Sequence, residues 1–100
     1  MIAWLLACAP TSFEECRGDL AEKTACRARF AEPLPASNSA LEALVDGIED
    51  LDERDALLVE LAVRHPESGA RLCALARTDH GDRQCRQVVG RPHLGHHKRP

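Results

Sequence analysis

A chain of 100 residues has room for one domain, which at this size buries a modest share of its surface and gains from extra stabilisation. The hydrophobic residues are mostly Ala, Leu and Val, with one Trp, two Phe and no Tyr, a composition that favours helices over strands. The formal net charge of -3 and the scarcity of aromatic side chains for base stacking argue against a nucleic-acid-binding protein.

An apolar segment, residues 1–7, opens the chain and leads into Leu5-Leu6-Ala7-Cys8. These four residues have the form of a lipobox, so the segment resembles the signal sequence of a bacterial lipoprotein precursor. The resemblance implies that Cys8 carries lipid, that residues 8–12 form a tether, and that the protein lies on the periplasmic or outer-surface face of a bacterial membrane. The alternatives are a start codon upstream of Met1 or an ordinary apolar N-terminus.

Helix signals fill residues 13–91, which we expect to form a single helical domain. A capping box at Ser12-Phe13-Glu14-Glu15 predicts a short first helix that ends at Gly18. A second helix is predicted from the cap Asp19-Leu20-Ala21-Glu22 to about Ala31, before two prolines.

The middle of the chain has the clearest helical periodicity. A capping box at Ser39-Ala40-Leu41-Glu42 predicts a helix whose apolar residues recur at spacings of three and four: Leu41, Leu44, Val45, Ile48 and Leu51. Its acidic face is interpreted as solvated surface: Glu42, Asp46, Glu49 and Asp50. Acidic residues at 52–55 then favour the start of another helix, with a buried stripe of Leu57, Leu58, Leu61 and Ala62.

Two further short helices are predicted after His65. Pro66 suits the first position of a helix that extends to about Arg77. After a turn at residues 78–81, a last helix containing Cys85 is predicted to stop at Gly90, and residues 92–100 are expected to be a disordered basic, His-rich tail.

The five cysteines point to a disulfide framework. If Cys8 carries lipid, the other four form an even set: Cys16, Cys26, Cys73 and Cys85. Three connectivities are possible, and we favour local pairing, Cys16–Cys26 and Cys73–Cys85, because each pair flanks a predicted turn. The alternative is a cytosolic protein whose four cysteines are buried free thiols.

A zinc or copper site is a second possibility for the C-terminal region. Cys85 with His93, His96 and His97 offers thiolate and imidazole ligands, although the spacing matches no structural zinc pattern. No nucleophile triad, phosphate loop or Cys-x-x-Cys motif is present, so we expect neither an enzyme nor a cofactor.

The sequence therefore predicts an all-α fold, a small irregular bundle or stack of helical hairpins with five to six short helices and two disulfides. Its charges are uneven: residues 42–60 contain eight acidic residues and one Arg, whereas residues 64–100 contain eight Lys or Arg and three acidic residues. We expect an exported, lipid-anchored binding or scaffolding component with a protein partner. The alternatives are a small periplasmic metal-binding protein and a cytosolic helical adaptor with reduced cysteines.

Overall fold

The computed structural model describes the backbone of residues 10–97 and the side chains of residues 10–90, and in this range every regular element is a helix. The predicted all-α fold is confirmed. Its five α-helices and two 3-10 turns follow in chain order: the turn Phe13–Glu15, α1 (Leu20–Phe30), α2 (Asn38–Asp46), α3 (Leu51–Arg64), the turn Pro66–Ser68, α4 (Gly69–Cys73) and α5 (Asp79–His97). Within residues 10–97 no helix combines the length and the apolar composition needed to cross a membrane.

Helix α3 lies at the centre of the fold, and the other four helices pack against it. The stripe predicted for this helix is confirmed, since all four of its residues are buried: Leu57, Leu58, Leu61 and Ala62. They join one core with apolar residues of every other helix, among them Ala28, Leu41, Val45, Leu72 and Cys85. Full burial of a Leu side chain stabilises the fold by about 2 kcal/mol, so α3 supplies a large part of the cohesion.

Helix α1 begins where the sequence predicts, at a complete capping box. A carboxylate oxygen of Asp19 accepts a hydrogen bond from the Glu22 backbone N–H at 2.8 Å, and the Glu22 carboxylate accepts one from the Asp19 N–H at 2.9 Å. Two of the four backbone donors that a helix start leaves without partners are thereby satisfied.

The capping box predicted at Ser12 is wrong. The Ser12 side chain makes no capping hydrogen bond, and only a 3-10 turn follows it. Glu15 instead accepts hydrogen bonds from the backbone N–H and the hydroxyl of Thr11, at 2.7 and 2.9 Å. The carboxylate that was expected to close the box is therefore engaged one residue earlier.

The helix predicted through Leu41 and Leu51 ends earlier in the structure, at Asp46, so Ile48 and Leu51 lie outside it. The N-cap of α2 is Ser37, whose hydroxyl accepts a hydrogen bond from the Ala40 N–H at 3.1 Å, so the predicted cap at Ser39 is wrong. Gly47 is the C-cap of α2, and Asp50 is the N-cap of α3. The Asp50 carboxylate accepts hydrogen bonds from the backbone N–H groups of Asp52 and Glu53 in the first turn of α3. A glycine that disfavours helix and a carboxylate that caps one together outweigh the apolar periodicity.

The helix predicted from Pro66 to Arg77 is shorter than expected and ends at Cys73. Beyond it, backbone groups find tertiary partners in place of helical ones. The Leu75 carbonyl accepts a hydrogen bond from Arg54, and the Arg77 N–H donates to Asp55.

Helix α5 passes the predicted stop at Gly90, and its backbone is helical to His97, so the expected tail is wrong over that range. A Gly costs about 1 kcal/mol and a Pro about 3 kcal/mol inside a helix, which disfavours continuation without forbidding it. The last three residues of the expected tail, 98–100, lie outside the described residues.

Candidate functional site

Both predicted disulfides are present. The Cα atoms of Cys16 and Cys26 are 5.7 Å apart, and those of Cys73 and Cys85 are 5.5 Å apart, within the usual range for a bridge. All four cysteines are buried. Local pairing across the two turns is therefore confirmed.

Cys85, which the sequence suggested as a metal ligand, cannot serve as one. This residue is fully buried and its sulfur is bonded to Cys73, so it offers no free thiolate to a metal ion. The side chains of His93, His96 and His97 lie outside the described residues. Among the side chains that are described, no group of three or more His, Cys, Asp or Glu is placed to hold a metal ion. The expected lipid site, Cys8, also lies outside the described residues.

The structure reveals a buried ionic cluster that the sequence interpretation missed. Arg54 is 1% exposed and Asp55 is 2% exposed. Both lie among the first five residues of α3, where the sequence indicated only that acids favour a helix start. Arg54 donates from Nε and Nη2 to one oxygen of Asp46, at 3.1 and 2.9 Å. Its Nη1 donates to the Leu75 carbonyl at 2.6 Å. Asp46 is therefore an ion-pair partner as well as a surface residue, which corrects its expected role.

Asp55 holds the start of α5 in place. Its carboxylate accepts hydrogen bonds from the backbone N–H of Arg77 at 3.0 Å and from the N–H and hydroxyl of Thr78 at 2.8 and 2.7 Å. The Thr78 hydroxyl in turn accepts a hydrogen bond from the Gly81 N–H at 2.9 Å. A Cβ added at Gly81 would lie 2.6 Å from the Asp55 Cβ, so only glycine permits this approach.

The sequence did contain a weak sign of this cluster. Arg54 is the single basic residue among the eight acidic residues of positions 42–60, and a charge against the local trend often has a specific partner. Its partners lie 8 and 21 residues away, on α2 and after α4, so no local pattern identifies them.

A second acidic residue of α3 holds helix α1. Glu53 forms ion pairs with Lys23 and with Arg27, the latter at 3.0 Å. Hydrogen bonds from Lys23 and then Arg27 hold the pKa of the Glu53 carboxyl below its ordinary value of 4.5. The Arg27 guanidinium also lies 6.0 Å from the centre of the Phe13 ring, within reach of a cation–π interaction.

One candidate site is a groove where the N-terminal ends of α1, α3 and α5 meet, which we call the three-helix groove. Its volume is about 470 Å³, and eight residues line it: Leu20, Asp52, Asp55, Ala56, Thr78, His80, Gly81 and Gln84. This size falls in the range of ligand sites. The sequence did not predict the groove, because the three segments that form it are distant along the chain.

The three-helix groove is partly apolar and carries negative charge. Leu20, which lines the groove, is 47% exposed. The ionisable residues of the groove are Asp52, Asp55 and His80, and its lining contains no Lys or Arg. Since Asp55 and Thr78 are occupied by hydrogen bonds to each other and to the backbone, Asp52 is the carboxylate available to a ligand. The arrangement suits a ligand with an apolar part and a positive charge.

A smaller cavity of about 320 Å³ lies between the first 3-10 turn and α2. It is lined by Phe13, Glu14, Arg27, Ala43, Leu44, Gly47 and Ile48. The Nε atom of Arg27 is buried there without a hydrogen-bond partner among the described residues. The Nη1 atom of the same guanidinium donates to Glu53 at 3.0 Å, so Arg27 joins this cavity to the ion pair that holds α1 on α3.

Comparisons with known protein families, with curated proteins and with solved structures find no match to this chain.

Proposed function

We propose that this protein is a small exported binding or scaffolding component, held by lipid on Cys8 at the periplasmic or outer-surface face of a bacterial membrane. We expect it to bind another protein and to carry out no reaction of its own. The proposal combines the lipobox form of Leu5-Leu6-Ala7-Cys8 with the disulfide framework.

The two buried disulfides are the observation that carries the proposal. Disulfides persist in oxidising compartments and are rare where glutathione and thioredoxin keep thiols reduced. The pairs Cys16–Cys26 and Cys73–Cys85 are therefore compatible with a location outside the cytoplasm. They also account for four of the five cysteines and leave Cys8 as the odd one, which supports a separate use for it.

A binding role is supported by how the polar residues are used. The buried charges of Arg54 and Asp55 are saturated by contacts that hold α2, α4 and α5 on α3, so they serve the fold. The half-exposed groove, by contrast, offers a surface for a partner. Neither alternative gains support, because a cytosolic adaptor needs free thiols and the metal hypothesis loses Cys85.

The anchor is tested by expressing the gene, with its upstream reading frame, in an export-competent bacterium and analysing the N-terminal peptide by mass spectrometry. We expect a chain that begins at Cys8 with a diacylglyceryl group and that sediments with membranes. The variant Cys8→Ala should appear in the soluble periplasmic fraction. Ser12→Ala is the matched control, since this side chain makes no capping bond, and it should stay membrane-bound. Unmodified Cys8 behind an intact Met1 would contradict the anchor.

The compartment is tested separately by counting thiols that react with an alkylating agent before and after reduction. Under non-reducing denaturation we expect Cys16, Cys26, Cys73 and Cys85 to be protected, and all four to react after reduction. Four reactive thiols in freshly isolated protein would overturn the exported assignment.

A further inference from the structure

We propose that the three-helix groove binds a cationic, amphipathic segment of a partner protein, with an apolar side chain against Leu20 and Ala56 and a Lys or Arg beside Asp52. This inference rests on the proposed binding function and names its surface and the chemistry of its ligand. Shape, exposed apolar area and charge support it independently.

The shape of the groove follows from the parallel arrangement of three helix starts. Leu20 is the first residue of α1, Asp52 and Ala56 belong to the first two turns of α3, and Gln84 lies in the second turn of α5. The Lys23–Glu53 ion pair holds the first turns of α1 and α3 side by side. The walls are thereby fixed by the same contacts that hold the fold, so the groove is preformed.

Two exposed Leu side chains lie at the helix starts that form the groove, and one of them, Leu20, lines it. Leu20 is 47% exposed, and Leu51 is 46% exposed. Leu51 precedes the groove-lining Asp55 by four residues, so the two share one face of α3. An apolar segment that covered both Leu side chains would remove their exposed surface from water, and this burial would stabilise the complex.

Electrostatics decides the sign of the ligand charge. Three helix N-termini contribute about half a positive charge each, roughly 1.5 in total, which by itself would favour an anion. Five carboxylates beside these three starts form no ion pair with any described side chain, and three of them, those of Asp19, Glu22 and Asp50, cap their own helices. The other two belong to Asp52 and Asp79. Arg17, just before α1, and Arg83, in the second turn of α5, likewise form no ion pair with a described side chain, which leaves an excess of three negative charges. This excess outweighs roughly 1.5 charges from the dipoles, so the groove favours a cation over phosphate.

A protein segment fits this groove better than a small molecule does. Ligand pockets cover most of a small molecule, whereas Leu20 and Leu51 are each nearly half open to solvent. Recognition of an amphipathic segment uses a row of apolar contacts with charges at the rim, and the groove offers both. A bilayer rich in anionic lipid or a nucleic acid would meet the five carboxylates and be repelled.

The test uses the full chain, with both disulfides formed and ¹⁵N-labelled, and a ten-residue peptide of Lys, Leu and Gly as the probe. We expect amide shifts at Leu20, Asp52, Ala56 and Gly81 that saturate with peptide concentration. A matched peptide with Glu in place of each Lys should cause none. Shifts confined to residues outside the groove, or equal shifts with the Glu peptide, would overturn the proposal.

Charge reversal distinguishes a site from general attraction. Asp52→Lys should raise the Kd for the Lys peptide at least tenfold, and Asp52→Asn about threefold. Glu42→Lys makes the same change in net charge at an exposed residue of α2 outside the groove, and it should change the Kd less than twofold. Circular dichroism establishes that each variant folds. An equal loss in Glu42→Lys would reduce the binding to long-range charge and overturn the site.

Apolar contact is tested by Leu20→Ser, which should raise the Kd at least threefold at unchanged net charge.

The occupant is tested by sedimentation velocity: a chain that self-associates through the groove, with loss of peptide binding, would replace the partner protein by a second copy and overturn the proposal. Absence of lipid on Cys8 would overturn the anchor alone, whereas a lipid-bearing chain whose groove ignores the Lys peptide would overturn only the ligand assigned here.

Discussion

The two disulfide-closed regions of this protein use one local device for different ends. The N-terminal hairpin, residues 13–30, and the C-terminal hairpin, residues 69–90, each place a turn between two paired cysteines. Cys73 and Cys85 are part of the hydrophobic core, whereas Cys16 and Cys26 are buried outside that core cluster. The second bridge therefore adds packing to the effect that both bridges have on the unfolded chain.

The two hairpins also differ in how α3 holds them. Glu53 binds the N-terminal hairpin through partly exposed ion pairs with Lys23 and Arg27. Asp55, two residues further on, binds the C-terminal hairpin through buried hydrogen bonds to Arg77 and Thr78. Exposed ion pairs contribute little to stability, while breaking a buried one costs several kcal/mol. The C-terminal hairpin is thus expected to be the more firmly attached of the two.

Removing each disulfide in turn should cause the largest losses of stability, and the losses should differ between the two hairpins. Either bridge closes a loop of 10 or 12 residues, worth about 3 kcal/mol in the free energy of unfolding. Cys73→Ala with Cys85→Ala also opens a small core cavity, for a total of about 4 kcal/mol. Cys16→Ala with Cys26→Ala should cost about 3 kcal/mol. Guanidinium unfolding followed by circular dichroism measures both, and equal losses would show that core placement of the second bridge adds nothing.

The next largest difference in the free energy of unfolding is expected between variants of Asp55 and Glu53, the two α3 side chains that hold the hairpins. Asp55→Asn keeps one acceptor oxygen but leaves the buried Arg54 charge without its carboxylate neighbour at 3.6 Å, and we expect a loss of about 3 kcal/mol. Glu53→Gln should cost less than about 1 kcal/mol at neutral pH. Urea unfolding at low and high salt checks the pair: salt should diminish the Glu53 effect and leave the Asp55 effect in place. The reverse salt response would contradict the assignment of buried and exposed anchors.

A methyl group at Gly81 should loosen the C-terminal hairpin alone. Gly81→Ala brings a Cβ against the Asp55 side chain, and we expect a loss of about 2 kcal/mol from overpacking. Gly90→Ala is the control in the same helix, because no atom of the described side chains lies within 4 Å of its added Cβ. It should stabilise by about 0.5 to 1 kcal/mol through helix propensity. Thermal unfolding measures both, and a stabilising Gly81→Ala would argue against the close contact.

The smallest effect is the pH dependence of the N-terminal anchor. Since the pKa of Glu53 is lowered in the folded state, its stabilisation is complete above the ordinary value of 4.5 and disappears as the pH falls through the lowered pKa. The free-energy difference between the wild type and Glu53→Gln should thus vanish in acid. Glu42→Gln, at an exposed residue of α2, is the matched control for the loss of one carboxylate. A difference that grows on acidification would reverse the sign and refute the interpretation.

Part of the fold could be predicted because its causes are local. The cap of α1 at Asp19, the buried stripe of α3 and both cysteine pairings depend on residues close together in sequence. The end of the helix predicted around Leu41 was placed too late, because the apolar periodicity continues across Gly47 to Ile48 and Leu51 whereas the helical backbone ends at Asp46. The early end of α4 could not be predicted, because the groups that bind the backbone beyond it, Arg54 and Asp55, lie on another helix.

By itself the sequence determined the helical composition and favoured local disulfide pairing, since propensity, capping and short loop closure act over a few residues. Only the tertiary structure decided that Arg54 and Asp55 are buried and that three helix starts form a groove beside Leu20. Both outcomes require segments far apart in the chain to meet, and burial of a charge depends on partners that no local pattern specifies.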